Sequence, residues 1–305
     1  MSSWLPPPAS PQQRAIAHVA ARSVGPPLAS DLPVTLNFHP DRMVGGVPIL
    51  QALAAHGVYR SQFETGTSNG GLTAYPGGDR WVWESRIFGG AYDGVPAEAR
   101  PKYGALNYRR RATGAAPRFG SAHLRLRPEV LARCTFCYPD SVFAPEHFGV
   151  SARMSLIARA WEVSGGSDSD TDSDTDSDTD SDPGSDRLDD YIEAHVHGPI
   201  RLADDVEALV LDPCYRGTPI AAQAQRLPCA LEWHPGFRAA VDTLAQYPGY
   251  RGSGYVDLAR RIARDGWLDP ACIGAAATAA KHAHEAEALK KVWHYLARYG
   301  DRAQP

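Results

Sequence analysis

Residues 191–197 alternate between Tyr191, Glu193, His195 and His197 on one side and Ile192, Ala194 and Val196 on the other. A period of two predicts a β-strand that presents a carboxylate and two imidazoles on a single face. The same test predicts strands over Val34 to His39, ended by Pro40, over Val58 to Glu64, over Trp81 to Glu84, over Ala122 to Arg127 and over Val206 to Leu211. Ser10-Pro11 reads as a helix cap and first-turn proline, opening a helix that runs to about Arg22. Helical spacing also predicts a short helix over Pro48 to His56, closed by Gly57, and longer ones over Tyr255 to Asp265 and Ala275 to Tyr299. The fold class is therefore α+β, with helices at both ends and strands between them.

Composition narrows this picture. The 305 residues are 43% hydrophobic and 22% charged, as in a globular protein with a sizeable core. No apolar run approaches eighteen residues, and the first thirty positions lack a basic start followed by an apolar stretch. Neither a membrane span nor a secretory leader is expected. Five cysteines without framework spacing predict reduced thiols and a cytoplasmic setting.

The net charge of -4 comes from one place: Ser167 to Asp182 holds eight aspartates and no apolar side chain, and without them the balance is +4. Such a run cannot offset its ordering entropy by burial, so 164–186 is expected to be a disordered acidic insertion. It lacks the bend glycine and terminal glutamate of a calcium loop.

Two polar segments exceed what packing needs: Asn37-Phe38-His39-Pro40-Asp41-Arg42 and the strand around Glu193. Between them lie the turn Thr67-Ser68-Asn69-Gly70-Gly71 and the run Arg100-Pro101-Lys102-Tyr103-Gly104-Ala105-Leu106-Asn107. With Arg127-Pro128-Glu129-Val130, the pair Thr135-Phe136, the pair Asp140-Ser141 and Tyr191 to Gly198, these segments resemble, in order, the ADP-ribosyltransferase superfamily. The likeness is to the transferase domains of phage head proteins in particular. From about Gln13 to Ala275 the chain is also similar to an uncharacterised bacterial domain-of-unknown-function family with the same landmarks.

The resemblance implies a split, twisted β-sheet core with flanking helices and a C-terminal helical segment, holding NAD in a cleft and cleaving its nicotinamide–ribose bond without a metal. It implies Glu193 as the catalytic carboxylate, His39 as a catalytic and cofactor-binding residue, and Arg42, Thr67, Ser68, Asn69, Gly71 and Tyr103 as contacts for NAD. Arginine-modifying members carry a glutamate two residues before the catalytic one, where this chain has Tyr191, so the acceptor of ADP-ribose stays open among protein, nucleic acid, small molecule and water. The expected organisation is an N-terminal extension and helix over 1–30, a transferase-like domain over 31–274 and a C-terminal helix over 275–305.

The residue types suit that chemistry independently, since a fixed carboxylate stabilises the positive charge that develops on ribose as a glycosidic bond breaks. Two other classes are open. His195 and His197, two apart on a strand, could join His39 in a metal-dependent hydrolase site, or the fold could be an inactive NAD-binding module. Cys134 and Cys137 read as two buried thiols. The basic clusters Arg109-Arg110-Arg111 and Arg260-Arg261 are compatible with a phosphate-bearing partner. No phosphate-cradling glycine loop follows any expected strand.

Overall fold

Alternation within the strands builds a sheet with one apolar and one polar face. The computed structural model describes residues 9–66, 73–164, 186–280 and 282–300. Its central eight-stranded sheet contains β1 (Val34–Phe38), β2 (Lys102–Leu106), β3 (Ala122–Leu126), β4 (Cys134–Tyr138), β5 (His147–Val150), β6 (Ile192–Val196), β7 (Val206–Leu211) and β8 (Ala230–Trp233). The order is β8-β7-β3-β1-β2-β6-β4-β5. All neighbours are antiparallel except β7 and β8. The longer helices are α1 (Pro11–Ala20), α2 (Ile49–His56), α3 (Asp79–Ile87), α4 (Leu156–Val163), α5 (Ser253–Ile262), α6 (Pro270–Ala279) and α7 (Ala283–Tyr299).

The apolar face carries Leu36, Leu106, Leu124, Phe136, Ala194 and Leu209 into the main core, where Leu50 and Leu53 of α2 and Leu156 and Ala160 of α4 cover it. Each such leucine, buried fully, contributes about 1.5–3 kcal/mol. A second apolar cluster joins α5, α6 and α7 to Leu188 and Phe237. Trp293 of that cluster donates its indole N–H to the carbonyls of Pro117 and Arg118, so α7 is fastened to a loop lying over the sheet.

The polar face reads across the strands as Cys137, Glu193, Ala105 and Thr35 in one row, with Thr135, His195 and Tyr103 in the next. Most buried polar groups are hydrogen-bonded, and two covers supply partners here. Segment 111–120 lies over β1: Ala115 N–H donates to Thr35 Oγ1 at 2.9 Å, and Asn37 Nδ2 donates to Thr113 O at 3.0 Å. Gly120 lets this segment approach, since a Cβ there would sit 2.0 Å from the carbonyl carbon of Phe38. Over β2 and β6 the cover is α3 and the turn after it, with Glu84, Phe88 and Tyr92.

Three expected elements differ. Val58 to Glu64 is a strand only at Val58–Tyr59, because Ser61 N–H donates to Glu64 Oε2 at 2.7 Å and caps a helical turn, Gln62–Thr65. Trp81 to Glu84 is helix α3, not strand; its buried positions Glu84 and Ile87 are three apart, a spacing that four alternating residues cannot reveal. Ala275 to Tyr299 is not continuous: α6 ends at Ala279, Ala280 is extended, and His282 caps α7 with Glu285.

Except for Ser164 and Asp186, the acidic insertion lies outside the described residues, as do Thr67, Ser68, Asn69 and Gly71. The two flanks of the insertion are tied together, with Ser164 Oγ donating to Asp190 at 2.8 Å and Arg109 bonded to both. Deleting Ser167 to Asp182 is therefore expected to change stability by less than about 1 kcal/mol, because closure cost varies slowly with loop length. Thermal unfolding of the deletion variant checks this, and a fall in midpoint beyond a few degrees would mean that the run makes native contacts.

Candidate functional site

Strand β6 places Glu193 and His195 on the polar face between β2 and β4. The Glu193 side chain keeps 8% of its surface exposed, and that of His195 none. Glu193 Oε1 lies 2.9 Å from His195 Nε2, and Glu193 Oε2 accepts from Ser141 Oγ at 3.2 Å. Ser141 arrives there because Asp140 starts a short 3-10 turn, accepting from Val142 N–H at 2.9 Å. On the other side of His195, Nδ1 is 3.1 Å from Thr135 Oγ1, which is 2.9 Å from His197 Nε2, and His197 Nδ1 is 2.7 Å from Tyr92 OH. The imidazoles are thus oriented by a continuous chain of partners.

Helix α3 supplies the roof. Tyr103 donates to Glu84 Oε1 at 3.0 Å, and Arg100 is bonded to Glu84 Oε2 at 2.5 Å. Arg80, one turn before Glu84, stacks its guanidinium over the Tyr103 ring at 4.3 Å, leaving Nε and Nη1 buried without a hydrogen-bond partner. An unsatisfied buried guanidinium edge is costly and marks a place for an anionic group.

The electrostatics set Glu193 apart from the two other buried carboxyls, Asp140 and Glu84. Burial works against ionisation of Glu193, but the hydrogen bond and charge of His195, the charge of Arg80 and the Ser141 hydroxyl outweigh it and hold this carboxyl below its usual range. Asp140 goes the other way: burial and the neighbouring Glu193 charge push it up to about 6, against the opposing hydrogen bond from Tyr191. Burial raises Glu84 to about 7, with Arg100 opposing. Cys137 is driven well above an ordinary thiol by burial and by Glu193.

Of the residues expected from sequence, Glu193 and Tyr103 come together, Tyr103 packing edge-on to His195 with ring centres 5.2 Å apart. His39 and Arg42 do not join them. His39 sits beyond the end of β1, edge-on to Trp293 at 5.0 Å, and burial, then Arg42, pushes its pKa down to about 3, leaving a neutral ring. It lies four residues past Thr35, which is two strands across from Glu193. Strand spacing and rise then separate the two by about 16 Å, too far to act on one bond. Arg42 is half-buried, its N–H donating to the His39 carbonyl at 3.3 Å.

The metal set of His39, His195 and His197 is not assembled: the two ring nitrogens of His197 face Thr135 and Tyr92, and His39 is under Trp293. The basic clusters are largely neutralised from within, Arg109 by Asp190, Arg110 by Asp31 and Arg260 by Asp257. A surface cavity of 320 Å³ lies elsewhere on the sheet, lined by Arg110, His123, Arg125 and Glu207 among others. Its Arg125 is held by Glu207 and Glu232, so its charge is spoken for.

Sequence reading missed Arg80 and Glu84, which lie four apart on one helix face, a spacing that only a helical assignment exposes. These features define an α+β protein with a mostly antiparallel sheet whose buried polar face carries an ionised glutamate. The chain belongs to the family described as Protein of unknown function (DUF3626), which it matches over residues 33–162 and 169–299. No curated protein matches it. Among the described residues no helix is long and apolar enough to cross a membrane.

Proposed function

We propose that the chain is an NAD-dependent ADP-ribosyltransferase or NAD glycohydrolase with Glu193 as its catalytic carboxylate. The observation that carries this reading is the state of Glu193: a nearly buried carboxylate held ionised by His195, Arg80 and Ser141 on the polar face of the sheet. Cleavage breaks the bond between the ribose anomeric carbon and the nicotinamide nitrogen, the electron pair leaving with a neutral nicotinamide. Positive charge grows on the ribose, and an anion fixed beforehand stabilises that charge without reorganising. His195 and Ser141 each occupy one carboxylate oxygen, so the group is oriented before substrate arrives.

Arg80 supports the dinucleotide in particular, because its unpartnered Nε and Nη1 match an anionic diphosphate better than a neutral sugar. His39, about 16 Å away, and Arg42 beyond it would serve the far end of such a molecule rather than the bond that breaks. Thr67, Ser68, Asn69 and Gly71 keep the roles the superfamily resemblance implies. The acceptor remains protein, nucleic acid, small molecule or water.

The test is chromatographic: purified chain is incubated with NAD and a chelator, and nicotinamide is followed with time. Release that continues with chelator present is expected. Arg80→Met is expected to raise the KM for NAD at least about tenfold and to lower kcat as well, because Arg80 also helps hold Glu193 ionised. No release above a buffer control, across candidate acceptors, would remove the reading.

A further inference from the structure

The row of side chains around Glu193 contains a third member that NAD cleavage does not use. Cys137 of β4 is fully buried, and its Sγ lies 3.7 Å from Glu193 Oε1 and 3.9 Å from His195 Nε2, while those two atoms are 2.9 Å apart. The three donors lie within 4.8 Å of one another, one thiol, one imidazole and one carboxylate. A tetrahedral zinc ion with ordinary bond lengths would hold the same atoms about 3.6, 3.6 and 3.4 Å apart. Both sulfur contacts are long for a hydrogen bond yet close to these spacings, and the remaining side needs only about half an ångström of opening.

The surroundings complete the case. A metal-bound imidazole usually gives its other N–H to a fixed acceptor, and His195 Nδ1 faces Thr135 Oγ1, itself held by His197. The second oxygen of Glu193 is likewise bonded, to Ser141. Thiolate and carboxylate together cancel the charge of a divalent ion, so the filled site places no net positive charge beside Arg80. The Cys134 thiol, on the opposite face of β4, bonds instead to the Val130 carbonyl.

The geometry points to a site for a zinc-class divalent transition metal at Cys137, Glu193 and His195, whose filling takes Glu193 out of catalysis. Binding forms metal–sulfur, metal–nitrogen and metal–oxygen bonds, breaks the hydrogen bond between His195 Nε2 and Glu193 Oε1, and releases to buffer the thiol proton and the proton that Nε2 gave to that bond. The consequence for activity rests on the proposed NAD chemistry; the binding itself does not.

The test titrates cobalt(II), then zinc, into the reduced, metal-stripped full chain. One equivalent of cobalt is expected to give a thiolate-to-cobalt charge-transfer band that zinc abolishes. Cys137→Ser is expected to lose the band, and Thr135→Val, which keeps all three ligands, to weaken cobalt binding about 10–100-fold. Circular dichroism checks that both variants fold. Absence of the band in wild type, or its persistence in Cys137→Ser, would overturn the site. Nicotinamide release, measured in parallel, is expected to fall as zinc fills the site; unchanged release from the zinc-loaded chain would overturn the inhibitory role. A cobalt band in a chain that never cleaves NAD would keep the metal site and remove the transferase reading, and the reverse pattern would do the opposite.

Discussion

Replacing Glu193 with glutamine is expected to leave NAD affinity nearly unchanged while turnover falls about a hundredfold or more. Glutamine keeps the size and one hydrogen-bonding oxygen, so the contact with Ser141 survives; what disappears is the negative charge. Loss of one well-placed electrostatic stabiliser costs about 10²–10³ in kcat when its benefit is realised only in the transition state. Calorimetric NAD binding beside single-turnover nicotinamide release separates the two effects. A variant that cleaves NAD at the wild-type rate would mean that the Glu193 carboxylate does not stabilise the breaking bond.

Arg100→Met is expected to cost about 3–5 kcal/mol at pH 8, the largest stability loss foreseen, because it removes the main partner of a buried charge at Glu84 and leaves only the Tyr103 hydroxyl and the Arg80 charge to oppose its burial. Both partners are almost wholly enclosed, at 4% and 0% exposure, and Arg100 also donates to the Tyr92 carbonyl at 2.8 Å. The loss should depend on pH in a defined direction. Burial raises Glu84 from 4.5 to about 7 even with Arg100 opposing, so the folded chain holds this proton more tightly than the unfolded chain. Stability from that proton is complete below about 4.5 and is lost as pH rises through about 7. Without Arg100 the carboxyl rises further, and the variant can still bury a neutral acid at pH 5.5. Chemical denaturation at both pH values should therefore show a smaller deficit in acid; an equal deficit would mean that Glu84 is not the source of the loss.

What the sequence revealed follows from how completely each element announces itself. In β6, alternation names both faces at once, and Tyr191, Glu193, His195 and His197 lie opposite Ile192, Ala194 and Val196 as the pattern requires. Strand β7 and helix α2 are marked as clearly, by an apolar run broken only at Glu207 and by Gly57 in the left-handed conformation at φ 66°. Helix α3 was hidden, because Trp81-Val82-Trp83-Glu84 alternates over too few residues to distinguish periods of 2 and 3.6. Its misreading concealed Arg80, whose charge helps hold Glu193 ionised, and Glu84, the buried partner of Arg100 and Tyr103. Cys137 was visible only as a buried thiol, since its neighbours Glu193 and His195 come from 56 and 58 residues away. Pairing of distant strands is set by tertiary packing, and a single strand's pattern carries no record of its partner. The position of His39 follows the same rule: the strand end at Pro40 was legible, whereas the Trp293 ring that covers it comes from α7.

The most direct test of the central claim is a crystal structure with an uncleavable NAD analogue in which the nicotinamide ribose oxygen is replaced by a methylene group. The expected result is the ring carbon bonded to nicotinamide about 3–3.5 Å from a Glu193 carboxylate oxygen, with the diphosphate on the free edge of Arg80. An analogue bound instead in the cavity lined by Arg110, His123 and Arg125, with the Glu193 site unchanged, would contradict it.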